Sequence, residues 1–119
     1  MPRLHRDRSQ PAQCPMCRAK VPPPREAPGF WYDFLAGTCR CGAIYVHDPS
    51  ARNGGACFLQ GLLMNCDGDM DRAISLSQGV DYDDAVVHHY EIRLHRRLPS
   101  AIGSLYFVRL RRNEASPRD

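Results

Sequence analysis

Three observations on the 119-residue chain predict an α+β fold. Two close cysteine pairs, Cys14/Cys17 and Cys39/Cys41, sit in a segment whose short apolar runs are bounded by turn residues, as in β-hairpins. Ala56 to Cys66 is apolar nearly all round and long enough to be a buried helix. Leu105-Tyr106-Phe107-Val108, with Leu110, is rich in the aromatic and β-branched residues that strands favour. The expected architecture is N-terminal hairpins, about three helices, and a C-terminal strand completing a small sheet.

Residues 1–13 are polar and charged without periodicity, which predicts a disordered tail. Between Val21 and Gly29 stand Pro22, Pro23, Pro24 and Pro28, so this stretch is an extended loop and not a helix. Phe30, Trp31, Tyr32 and Phe34 then form an aromatic strand candidate, and Gly37 turns the chain toward Cys39. Ala43-Ile44-Tyr45-Val46 reads as a second strand, stopped by Asp48-Pro49.

From residue 50 the character becomes helical. Asn53 is placed to cap the apolar helix, and Gly61 within it suggests a close packing contact. Asp67-Gly68 breaks the helix, Asp69 caps a short second one to about Ser77, and Gly79 ends that. A third helix is expected from Asp81 until Pro99 stops it. Asp83 and Asp84 lie in its first turn and Arg93, Arg96 and Arg97 in its last, the polarity the helix dipole favours. Val86, Val87, Tyr90 and Leu94 recur at helical spacing. The organisation is therefore a tail (1–13), a cysteine module (14–48), a helical part with the last strand packed on it (49–112), and a second tail (113–119).

Composition narrows the function. With 43% apolar and 24% charged residues the chain is an ordinary globular one. No run is long enough to span a bilayer, so no membrane role is expected. The opening MPRLHRDRSQPAQ has no apolar stretch after its charges, which speaks against a secretory leader and makes the cytoplasm the expected location. In a reducing compartment six cysteines point to metal or free thiols rather than disulfides.

Four thiolates delivered as two pairs from tight turns suit tetrahedral zinc. The 21 residues 18–38 form the arm that returns the second pair, Pro15 presets the first turn, and Gly42 can take a positive φ after the second. Residues 14–46 resemble a zinc ribbon, in which two cysteine knuckles on β-hairpins hold one structural zinc. Two positions depart from that pattern: Arg18 follows the first knuckle where glycine is common, and the second pair is CxC. The stretch from Gly37 to Val46, the helices and the last strand together resemble a small bacterial family of uncharacterised proteins. The resemblance implies Cys14, Cys17, Cys39 and Cys41 as ligands of one structural zinc.

Four thiolates also accept iron, as in rubredoxin-like electron transfer. A redox CxxC at Cys14–Cys17 would need a helix N-terminus that the prolines after it leave little room for.

Other residues read more plainly. Cys57 and Cys66, nine positions apart, fall on opposite sides of a helix and read as buried free thiols. His88, Glu91 and His95 would share one face of the third helix, as a solvated polar face or the one candidate acid–base or metal site. His47 is a spare ligand at most. Asp67-Gly-Asp-Met-Asp71 imitates an EF-hand, but Arg72 and Gln78 stand where glycine and glutamate are required, so these carboxylates read as helix caps. No phosphate loop, nucleophile elbow or dinucleotide fingerprint occurs, so nothing argues for catalysis.

Charge supplies the binding hypothesis. Residues 1–50 carry seven basic and four acidic groups, 51–90 two and six, and 91–119 seven and three; fifteen of the sixteen basic residues are Arg. Arg forks suit phosphate and carboxylate. Arg18, Lys20 and Arg40 with Trp31 on the ribbon, and Arg109, Arg111 and Arg112 on the last strand, are the candidate contacts for RNA or single-stranded DNA, where bases stack on aromatics. The alternative is a protein-interaction or assembly module, including a homo-oligomer joined by its basic and acidic regions or by the edge of the last strand.

Overall fold

The computed structural model describes residues 9–27 and 34–111. They form one six-stranded antiparallel sheet and two helices. In chain order these are β1 (Gln10–Pro11), β2 (Ala36–Thr38), β3 (Ile44–Asp48), α1 (Gly54–Asn65), α2 (Met70–Ser75), β4 (Tyr82–Glu91), β5 (Arg96–Arg97) and β6 (Gly103–Leu110). The strand order is β1-β5-β4-β6-β3-β2. Each longer strand alternates its side chains between two faces, so the sheet presents two surfaces that are covered differently.

Helix α1 covers one surface. Leu62, Leu63 and Cys66 pack with Tyr82 and Val108, while Cys57 packs with Ala36 and Val46. Gly61 is the close contact expected of it: a Cβ there would lie 3.2 Å from Val108 Cγ2 and 3.5 Å from Val46 Cγ2. The helix starts at Gly54, two residues before the expected apolar run. Asn53 holds the cap position without using its side chain. Instead the buried Asp48 organises the entry. Its Oδ1 accepts from the Ser50 and Ala51 N–H groups and the Ser50 hydroxyl, and its Oδ2 from the Asn53 N–H at 2.7 Å. Asp69 caps α2 as expected, accepting the Arg72 N–H at 3.0 Å.

The opposite surface is covered by loops. Cys14, Val21, Cys39 and Ala43 pack there against Tyr45, Val87, Tyr90, Leu105 and Phe107. The Tyr45 hydroxyl donates to the Pro22 carbonyl. His95 makes a second tie: its Nε2 donates to the Val21 carbonyl (2.6 Å), and its Nδ1 lies 2.6 Å from the Tyr90 hydroxyl oxygen, within hydrogen-bond distance.

Several expectations need correction. The third helix does not exist: residues 82–91 are strand β4, paired with β6 from Tyr82↔Leu110 to Tyr90↔Gly103. The reason is a bulge between His88 and Tyr90, with His89 at φ 60°. One extra residue puts Val87 and Tyr90, three apart in sequence, on the same surface of a strand, which mimics helical spacing. Residues 9–13, expected as part of a disordered tail, are ordered: Gln10–Pro11 pair with β5 and Ala12 is buried. Gly37 lies inside β2 rather than in a turn, and a Cβ there would run into the Tyr45 ring. Phe30, Trp31 and Tyr32 lie outside the described residues, and Phe34 precedes β2. No helix of the described residues is long and apolar enough to cross a membrane.

Candidate metal centre

Each cysteine pair sits on a turn. The first is a hairpin closed by the Val21 N–H on the Ala12 carbonyl and the Cys14 N–H on the Ala19 carbonyl. Its tip doubles back through the Arg18 N–H to the Cys14 carbonyl at 2.7 Å. Arg18 takes φ 68°, the left-handed conformation that glycine adopts freely, so the arginine meets the turn's demand at a steric cost. The second turn joins β2 to β3. The Cys39 N–H donates to Ala43 and the Gly42 N–H to Cys39, with Gly42 at φ 98° as expected.

The sheet sets these two tips against each other. Cys14 Sγ lies 3.7 Å from Cys41 Sγ and Cys17 Sγ lies 3.4 Å from Cys39 Sγ. All four sulfurs fall within 4.8 Å of one another. A metal with four thiolates at about 2.3 Å needs sulfur–sulfur edges of about 3.8 Å, so the arrangement fits one tetrahedral ion. The four Cys residues read from the sequence are thus brought together, and they can hold one metal ion. Cys14 and Cys39 are buried and Cys17 is exposed.

The surroundings favour thiolates unequally. Burial pushes the Cys14 thiol up to about 12, although the Cys17 and Met16 N–H groups point at its sulfur, the latter at 3.4 Å. Burial also raises Cys39. At Cys41 burial acts upward too, but the Ala43 N–H and the Arg109 guanidinium bring the thiol down to about 7. N–H groups and a cation aimed at sulfur are the outer contacts that orient metal-bound thiolates.

The other predicted residues separate. Arg109 and Arg111 line one open cavity of about 450 Å³ beside Cys41, together with Gly42 and Asn65. Arg111 is not free for a ligand: its guanidinium grips the Asp83 carboxylate at 2.7 Å, which holds that carboxyl below its usual range. Arg18, Lys20 and Arg40 are exposed on the two turns. Trp31 and Arg112 lie outside the described residues.

His88, Glu91 and His95 do not form one face, because the helix that would align them is a strand and a turn. His88 Nδ1 lies 3.3 Å from Ser104 Oγ, Glu91 pairs with Arg93, and His95 bridges Tyr90 and Val21. The buried His47 sits edge-on to the Tyr90 ring, away from the sulfurs. Cys57 and Cys66 are buried thiols as read; burial pushes Cys57 up to about 12 and raises Cys66.

Sequence reasoning missed the His95–Tyr90 link and the Asp48 turn. The second had a signal: Asp48-Pro49-Ser50 is a sequence that bonds its own following N–H groups. Compared with known proteins, the chain matches no family model, no curated protein and no solved structure.

Proposed function

We propose that the protein is a zinc-stabilised binding module of zinc-ribbon type. Its basic surface beside the metal takes the phosphates of RNA or single-stranded DNA. The observation that carries the first half is the four-sulfur cluster at tetrahedral spacing on two hairpin turns. Zinc bound there would supply a cross-link between the two turns. The chain supplies the rest: backbone N–H groups and Arg109 offset thiolate charge, and the hairpins hold the sulfurs in place. The second half draws on Arg40, Arg109 and Arg111 lying around Cys41. Arg111 would reach phosphate only by releasing its Asp83 ion pair.

Metal analysis of the purified protein tests the centre. One zinc per chain is expected, lost in Cys14→Ser and in Cys41→Ser. Full metal retention in both variants overturns the four-cysteine assignment, and a red visible absorbance assigns iron instead. Retention on RNA and single-stranded DNA across a salt series tests the ligand. Binding should fall steeply as salt rises and weaken in Arg109→Ala, as phosphate contacts require. No retention at low salt removes nucleic acid.

A further inference from the structure

The four-thiol centre proposed above, on which this inference rests, is built for a second chemistry. Its sulfurs differ in access. Of the six cysteines, Cys17 is the one exposed, Cys41 is half-buried, and Cys14, Cys39, Cys57 and Cys66 are buried. Cys57 and Cys66 pack on the helical surface of the sheet, apart from the cluster. An oxidant from solvent therefore meets Cys17 first.

The sulfurs are also paired, and the pairs run between the two turns. Cys17 Sγ lies 3.4 Å from Cys39 Sγ, and Cys14 Sγ lies 3.7 Å from Cys41 Sγ. Each turn is closed by its own main-chain bonds, the Arg18 N–H on the Cys14 carbonyl and the Gly42 N–H on the Cys39 carbonyl. A sulfur–sulfur bond between the tips thus needs an approach of about 1.5 Å by side chains and leaves both backbone turns as they are. Pairing within the turns is worse. A Cys14–Cys17 bond would leave Cys39 and Cys41, with Arg40 alone between them, only a small strained ring to close. The second cross-turn pair is reachable as well: Cys41 lines the open cavity of about 450 Å³ beside Arg109, and Cys14 lines another of about 300 Å³.

We propose that Cys17 is an oxidation site for peroxide, with Cys39 as its disulfide partner, and that oxidation of this pair and then of Cys14 with Cys41 releases the metal while the two tips stay joined. The Cys17 thiolate attacks one peroxide oxygen. An S–O bond forms, the O–O bond breaks and hydroxide leaves, so the sulfur becomes a sulfenic acid. The Cys39 thiolate then attacks that sulfur. The S–S bond forms, the S–O bond breaks and a second hydroxide leaves. One peroxide is reduced for each disulfide made, and two peroxides convert all four thiolates. The thiolate is the form that ligates metal, so sulfurs held in a disulfide no longer do.

The test treats the metal-loaded full-length protein with hydrogen peroxide. A chromogenic chelator reads released zinc, and alkylation followed by tryptic peptide mapping reads the thiols. Trypsin cuts after Arg18 and Arg40, which parts Cys39 from Cys41. The expected first product is a Cys17–Cys39 bond with Cys14 and Cys41 still alkylated, then both cross-turn bonds, two peroxides consumed per zinc released, and unchanged circular dichroism. Dithiothreitol with zinc should restore the loaded protein. Four results overturn the proposal: metal retained under excess peroxide, a Cys14–Cys17 or Cys39–Cys41 bond as the main product, Cys57 or Cys66 oxidised as fast as Cys17, or circular dichroism lost with the metal. Protein purified without metal overturns the zinc reading alone, and the same mapping on the reduced chain then decides the pairing.

Discussion

The two surfaces of the sheet are built by different means. On the helical surface α1 lies close enough that Gly61 meets Val108 and Val46, and Leu62, Leu63, Cys66 and Ala73 complete an apolar layer around Tyr82. On the other surface the cover is two turns and a Pro-rich arm, whose buried members include Cys14 and Cys39 of the four-thiol cluster. Side-chain packing suffices for the first. The second also encloses a buried apolar cluster, and into it the two turns bring four thiols close together. Within one small domain, one surface is thus closed by side-chain packing alone, while the other combines packing with a four-thiol cluster that can hold a metal ion.

Metal removal should test that difference most. A structural zinc site is worth on the order of 10 kcal/mol of apparent binding energy. Chelation, or Cys14→Ser, should abolish amide protection in residues 12–21 and 39–43 while α1 and β6 keep theirs, as hydrogen exchange would show. Uniform loss of protection would mean that the two surfaces form one cooperative unit.

Gly61→Val attacks the opposite surface. Overpacking against Val108 should cost about 1–3 kcal/mol in denaturant titrations and leave metal affinity unchanged. A parallel fall in metal affinity would show that strain crosses the sheet.

The smallest effect sharpens the boundary between the surfaces, where His47 is buried. Burial lowers its pKa below the ordinary 6.5, so the folded protein binds the proton less readily than the unfolded chain. The resulting stability is present above about pH 6.5 and is lost as pH falls toward the folded value. His47→Gln should flatten that part of the stability-versus-pH curve, and an unchanged slope would assign it to other groups.

The candidate site was more legible than the fold around it. Metal-ligand spacing is a local property of the chain, so Cys14, Cys17, Cys39 and Cys41 stood out before any folding was considered. Strands β3 and β6 and helix α1 were also readable, because each buries a continuous apolar run. The two-residue strands β1 and β5 were not, since two residues carry no period. Arg111 looked like a free phosphate contact because its partner Asp83 is 28 positions away.

What the residues alone determined is the two close cysteine pairs, the capped α2 and the left-handed turn at Gly42. All of these follow from side-chain chemistry or backbone freedom within a few positions. What tertiary structure decided is the state of residues 82–91. Their charges suit a helix dipole, and Val87 and Tyr90 sit at helical spacing. Pairing along the whole of β6 prevailed, with the bulge at His89 returning both side chains to one surface. Local propensity weighs a few tenths of a kcal/mol per residue, whereas the long ladder and the burial of Tyr82, Val87 and Tyr90 are shared with partners distant in sequence.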